Sequence, residues 1–138
     1  MKETPRRRTR LFALQILFSR AQLGVSPARE MLLAKEYKLK EDNIQSAKDL
    51  ANFAWENLKQ VDGLIAENLE NWSQDRLVLS LSSLLRLSVG ELISTPELDA
   101  KVVINEAMGI CESHADAGAT SLLNGVLHKV SVKLGRIS

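Results

Sequence analysis

At 138 residues the chain has the size of one ordinary domain, and its 45% hydrophobic content excludes a wholly unfolded polypeptide. No stretch approaches the roughly 18 apolar residues of a membrane span, and the single cysteine, Cys111, excludes an intramolecular disulfide and agrees with a reducing cytoplasm. The net charge of +1 is unevenly spread: Lys2, Arg6, Arg7, Arg8 and Arg10 against Glu3 give the first ten residues +4 and leave −3 for the rest, which indicates one basic patch and not a generally basic protein. Arginines followed by the apolar residues 11–18 have the outline of a secretory signal. Gln15 interrupts that run, Arg20 follows it, and no small-x-small cleavage site appears, so export is not expected.

Thr4 is placed to cap a first helix, with Pro5 in its first position. Four arginines then oppose the positive end of the helix dipole and repel one another, a cost that suggests they hold an anion such as a phosphate backbone. The plain alternative is a solvated, solubilising terminus. Leu11, Leu14, Leu17, Phe18 and Ala21 recur at helical spacing and are expected to bury, which ties the arm to a folded body. Ser26-Pro27 opens a second helix ending near Tyr37, and residues 38–43 read as a loop. From Ile44, the apolar positions Ala47, Leu50, Ala51, Ala54 and Leu58 form the next helix, with Phe53 and Trp55 beside them. Gly63 is expected to break the pattern, and Leu64, Ile65 and Leu69 mark a short helix closing at Trp72.

Ser73 reads as the cap of the longest helix, which carries Leu77, Leu81, Leu84, Leu85 and Leu92. Residues 79–82 alternate as a strand would, but the length of the segment and the lack of turn residues before Gly90 favour helix. Pro96 stops it, and Asp99 starts a helix whose buried face is Val102, Val103, Ala107, Ile110 and Cys111. A turn near Gly118 leads to the last helix, with Leu122, Leu123, Val126, Leu127 and Val130 inward and Gly135 at its C-terminal end. There is no convincing strand or repeat, so the fold class is all-α, a compact bundle of about seven helices.

Few residues suggest chemistry. Cys111, His114 and His128 do not make a metal set, His114 with Asp116 lacks a nucleophile, and no glycine-rich phosphate loop is present. No catalytic residue, metal or cofactor is expected. Cys111, Trp55 and Trp72 read as core. Lys101 and Asn105 share a helix face and are candidate contacts, although Asn105 and Glu106 read equally well as hydrogen-bonding a neighbouring helix terminus. Gly125 in mid-helix, after Asn124, costs about 1 kcal/mol relative to alanine, and close helix–helix approach is its expected reason. Leu81 and Leu122 are either ordinary core or parts of an apolar patch.

In the order and spacing of Leu84-Leu85-Arg86-Leu87, Glu91-Leu92, Lys101-Val102-Val103-Ile104-Asn105-Glu106-Ala107 and Asn124-Gly125-Val126-Leu127, the chain resembles the NusB family over roughly residues 5–131. The resemblance implies two perpendicularly packed helical subdomains, here about 5–60 and 61–134 of a single domain spanning 1–138. It also implies a non-enzymatic, cytoplasmic factor that binds the boxA element of ribosomal RNA leaders with the small-subunit ribosomal protein NusE, within the transcription elongation complex. The family's RNA-contacting arginines map onto Arg6, Arg7, Arg8 and Arg10, and Lys2, Lys101 and Asn105 join them as RNA-binding candidates. If about four phosphates are neutralised, the log–log salt slope for single-stranded RNA is near −3. No aromatic or base-reading group lies in the arm, so sequence choice must come from elsewhere.

The chain also departs from the family pattern. Leu81, Ser82 and Ser83 stand where an acid, a base and alanine are usual, Gly90 where tyrosine is common, and Gly118, Ala119, Leu122 and Leu123 where Asp, Ser, Phe and Val are usual. Leu81, Gly118 and Leu122 fall at positions used toward NusE, so an altered partner surface is expected, open to a different protein or to a homodimer. The same fold serves as an accessory domain on ribosomal RNA cytosine methyltransferases. This chain reaches Ser138 with no nucleotide-binding loop, so a free-standing enzyme is not expected.

Overall fold

The two clearest capping signals open the first two helices. In the computed structural model, which describes residues 3–70, 77–114 and 117–137, α1 spans Pro5–Leu23 and the Thr4 hydroxyl accepts from the Arg7 amide at 3.1 Å. Helix α2 spans Pro27–Tyr37, capped by Ser26 at 3.3 Å from the Arg29 amide. Gly24, at φ 80°, makes the turn between them in a conformation that other residues rarely adopt. Helices α3 (Glu41–Glu56), α4 (Leu58–Glu67), α5 (Leu79–Ser94), α6 (Ala100–His114) and α7 (Ala117–Lys133) complete seven helices, with no strand among the described residues.

Several boundaries differ from expectation. The loop after α2 is shorter than 38–43, because Glu41 and Asp42 already form the first turn of α3, where acids suit the helix dipole. The break that follows falls at Asn57 and not at Gly63. The backbone amide and side-chain amide of Asn57 both donate to the Phe53 carbonyl and end α3, whereas Gly63 lies inside α4. Ser73 and Trp72 lie outside the described residues. At 19 residues α1 is longer than α5, which has 16 and begins after Leu77. Asp99 accepts from the Lys101 amide at 2.9 Å where α6 opens. Gly118 sits in the first turn of α7, not in a connecting turn, and Gly125 faces open space, so close packing does not account for it.

Two clusters form the core. One joins α1, α2 and α3 through Phe12, Ile16, Ala47, Ala51 and Ala54, together with Leu87 from α5. The other joins α4 to α7 through Ile65, Leu85, Val103, Leu123 and Leu127. Helix α1 lies between the two. Phe12, Ala13, Ile16 and Leu17 face the first cluster, while Leu11 and Leu14 pack against the second. The single face expected of α1 is therefore corrected: Phe18 is only half-buried and Ala21 is exposed, while Phe12 and Ile16 are fully enclosed. Ion pairs between Arg20 and Glu30 (2.8 Å) and between Arg86 and Asp62 (2.9 Å) fix α1 to α2 and α5 to α4. Helix α5 passes close to α3 because Gly90 has no side chain; a Cβ there would lie 3.1 Å from that of Ala54. Cys111 is buried and Trp55 half-buried, with the Arg20 guanidinium 6.0 Å from the Trp55 ring centre.

Among the described residues two buried side-chain polar atoms lack a hydrogen-bond partner, Arg8 Nε and Ser83 Oγ. Burying such a group costs about 1–3 kcal/mol. Ser83→Ala is therefore expected to raise stability by about 1 kcal/mol or more, seen as a higher midpoint in chemical denaturation; a lower midpoint would contradict this.

Candidate functional site

The first two turns of α1 distribute the arginines by helical geometry. Residues four apart share a face, so Arg7 points with Leu11, Arg8 with Phe12, and Arg6 with Arg10. Each face meets a different neighbour. Arg10 is buried and forms a two-pronged ion pair with Glu91 of α5, one prong running from Nε to Oε1 at 2.9 Å and the other from Nη2 to Oε2. Its Nη1 also donates to the Arg6 carbonyl at 3.2 Å. Arg8 Nη1 donates to the carbonyls of Tyr37 (2.9 Å) and Lys38 (3.1 Å), at the negative end of the α2 dipole. Beside it, the rings of Phe12 and Tyr37 stand 5.8 Å apart. Arg7 Nε donates to Glu106 on α6 at 3.0 Å. Its guanidinium lies over Gly109, where an added Cβ would come within 2.2 Å of it.

Three of the four guanidiniums thus serve as cross-links, which explains how a helix start tolerates them. The Arg6 guanidinium is exposed and has no hydrogen-bond or ion-pair partner among the described residues. Arg7 keeps a quarter of its side chain exposed. Lys101 and Asn105 are exposed on α6, the helix that carries Glu106, and Lys2 lies outside the described residues. Glu106 does bond a neighbouring helix, but through an arginine side chain and not a helix terminus.

Glu91, Glu106 and Gly109 were not singled out from sequence as partners of the arginines. Glu91 left a usable signal: an acid in the apolar face of α5 with no base three or four residues away requires a distant cation.

Two concave surfaces flank α1. A cleft of mixed character, about 360 Å³, lies between α1, α3 and α5, lined by Arg6, Thr9, Asn43, Ser46, Leu50 and Thr95 around the Arg10–Glu91 pair. On the other side, an apolar groove of about 440 Å³ is lined by Leu11, Leu14, Leu81, Ile110 and Ala119, with Val78 exposed at its edge. Leu81 is a buried wall of this groove, Leu122 is half-buried against the same core, and Gly118 is exposed beside Ala119. Among the described residues no acid, histidine or cysteine cluster could hold a metal ion, and no helix is long and apolar enough to cross a membrane.

Seven helices among the described residues, with a basic edge on α1 and an apolar groove beside it, make this an all-α domain with no catalytic geometry in its described clefts. The NusB family model matches residues 7–132, and the chain belongs to that family. The transcription antitermination protein NusB of a Geobacter species is 30% identical over 93% of this chain and 94% of its own. That of Natranaerobius thermophilus is 26% identical over 98% and 97%. Among solved structures, NusB of T. maritima superposes with a TM-score of 0.81 at 26% identity, covering 96% of this chain and 94% of its own. A structure described as antitermination factors NusB and NusE in complex with dsRNA superposes at 0.82, also at 26% identity, covering 94% and 97%.

Removing either half of the buried pair strands the other charge, so Arg10→Ala or Glu91→Ala is expected to cost about 3–5 kcal/mol in denaturant unfolding, whereas Arg10→Met combined with Glu91→Leu recovers most of that loss. Tyr37, the single tyrosine, is pushed above its ordinary value of 10.0 by burial first and then by Glu36 and Glu3. The unfolded chain therefore loses the phenol proton first, so stability is level below about pH 10 and falls as pH rises through the folded value. An ultraviolet titration is expected to place the Tyr37 midpoint above that of the denatured protein.

Proposed function

We propose that this chain is a non-enzymatic, RNA-binding transcription antitermination factor that acts on boxA-like single-stranded RNA of ribosomal RNA leaders together with the ribosomal protein NusE. Family membership supports the reading, as does the solved neighbour that pairs NusB with NusE and RNA. The observation that carries it is the basic start of α1, where Arg6 is exposed and the partly exposed Arg7 is tied through Glu106 to α6, the helix that also presents Lys101 and Asn105 to solvent. On this reading Arg6, Arg7, Lys101 and Lys2 contact phosphates, while Arg8 and Arg10 hold the start of α1 in place. The two core clusters support a division into subdomains near residue 60.

A second reading rests on the apolar groove and the exposed Val78: a diverged relative that takes another protein, or a second copy of itself, at Leu81 and Gly118. NusE is expected to tighten RNA binding under the first reading and leave it unchanged under the second, and sedimentation at rising concentration tests self-association. Arg6→Ala is expected to weaken all RNA sequences alike and to lower the log–log salt slope by about 0.7. An unchanged slope would remove Arg6 from the interface.

A further inference from the structure

The cleft between α1, α3 and α5 has hydrogen-bonding chemistry that phosphate contact does not use. Its three hydroxyls have already committed their protons: Thr9 to the Pro5 carbonyl at 2.7 Å, Ser46 to that of Asp42 at 3.0 Å, and Thr95 to that of Glu91 at 2.6 Å. A hydroxyl has one proton and two lone pairs, so in this arrangement each of these oxygens is left to act as an acceptor. Asn43 adds an amide, which offers an acceptor beside a donor. The Arg10–Glu91 pair closes the floor and satisfies itself. At the rim stands the Arg6 guanidinium, exposed and unpartnered among the described residues. Acceptor hydroxyls, one amide, the apolar Leu50 and a cation match a ligand with a flat ring, an amino group, a neighbouring ring nitrogen and an attached phosphate.

We propose that this cleft receives a single unstacked base of the bound RNA, selecting adenine or cytosine by the exocyclic amine and adjacent ring nitrogen of its Watson–Crick edge. The Asn43 amide pairs with that edge, the hydroxyl oxygens of Ser46 and Thr95 accept from the amine, and Arg6 holds the phosphate of the same nucleotide. Uracil has no exocyclic amine, and its carbonyl oxygens can be met only if a hydroxyl gives up its bond to the helix carbonyl, which makes uracil the weaker ligand. The inference rests on the RNA-binding reading and supplies what the arm itself lacks, a means of choosing sequence.

Fluorescence titrations of the intact protein with oligoadenylate, oligocytidylate and oligouridylate of equal length test it. The parent is expected to bind the first two more tightly than the third by roughly 3- to 10-fold, the worth of one or two hydrogen bonds. Combining Asn43→Ala with Ser46→Ala is expected to bring oligoadenylate down to the oligouridylate level, and Arg6→Ala to weaken all three by the same factor. Circular dichroism confirms that the variants are folded. RNA binding that shows no base preference, or a preference that survives the double substitution, overturns the cleft and leaves the RNA reading standing. Failure to bind any of the three at low salt overturns both.

Discussion

The buried ion pair between Arg10 and Glu91 is the constraint on which the rest of the arrangement depends. Taking a guanidinium and a carboxylate out of water costs several kcal/mol per ion, on the order of what a complete, two-pronged geometry can return. The pair is therefore a poor source of net stability and a strict positional device, because any slip of α1 against α5 leaves a charge unpaired. Helix α5 lends Leu87 to one cluster and Leu84, Leu85 and Leu92 to the other, so fixing α1 to α5 fixes both halves of the core at once. With Arg10 held inward, helical geometry turns Arg7 toward α6, Arg8 toward the end of α2, and Arg6 toward the open cleft.

The same arrangement resolves the apparent conflict at the start of α1. Four like charges at the positive end of a helix dipole repel one another when read as a string. In the folded chain Glu91, Glu106 and the carbonyl end of α2 supply the compensating negative charge. An interface built this way is stiff. Arg7 is laid across Gly109 and anchored at Glu106, which limits the side-chain freedom it would lose on meeting a phosphate.

Much of the fold was legible because the signals were local. Thr4-Pro5 and Ser26-Pro27 marked helix starts, Asp99 opened α6, and leucine spacing marked α5 and α7. The failures have physical causes. Helix α1 is enclosed on two sides, so a single apolar stripe through Phe18 and Ala21 misses Phe12 and Ile16. The break at Asn57 comes from a side-chain bond to the helix end, a signal that glycine as the expected breaker does not carry. At the site, the arginine run was plain in the sequence, but the division of labour within it was not. Arg10 and Arg6 are equally basic, and only partners distant in sequence separate a buried cross-link from an exposed cation.

The central claim is that one arginine of this run organises the fold while its neighbour four residues earlier meets RNA. The most direct test is the RNA affinity of a folded protein in which the buried pair has been replaced by apolar side chains, Arg10→Met with Glu91→Leu, measured beside Arg6→Ala in the same buffer. The account predicts that the apolar double variant binds within about twofold of the parent, since no phosphate contact is lost, while Arg6→Ala binds more weakly. Equal loss in the two would place Arg10 on the RNA and contradict the account.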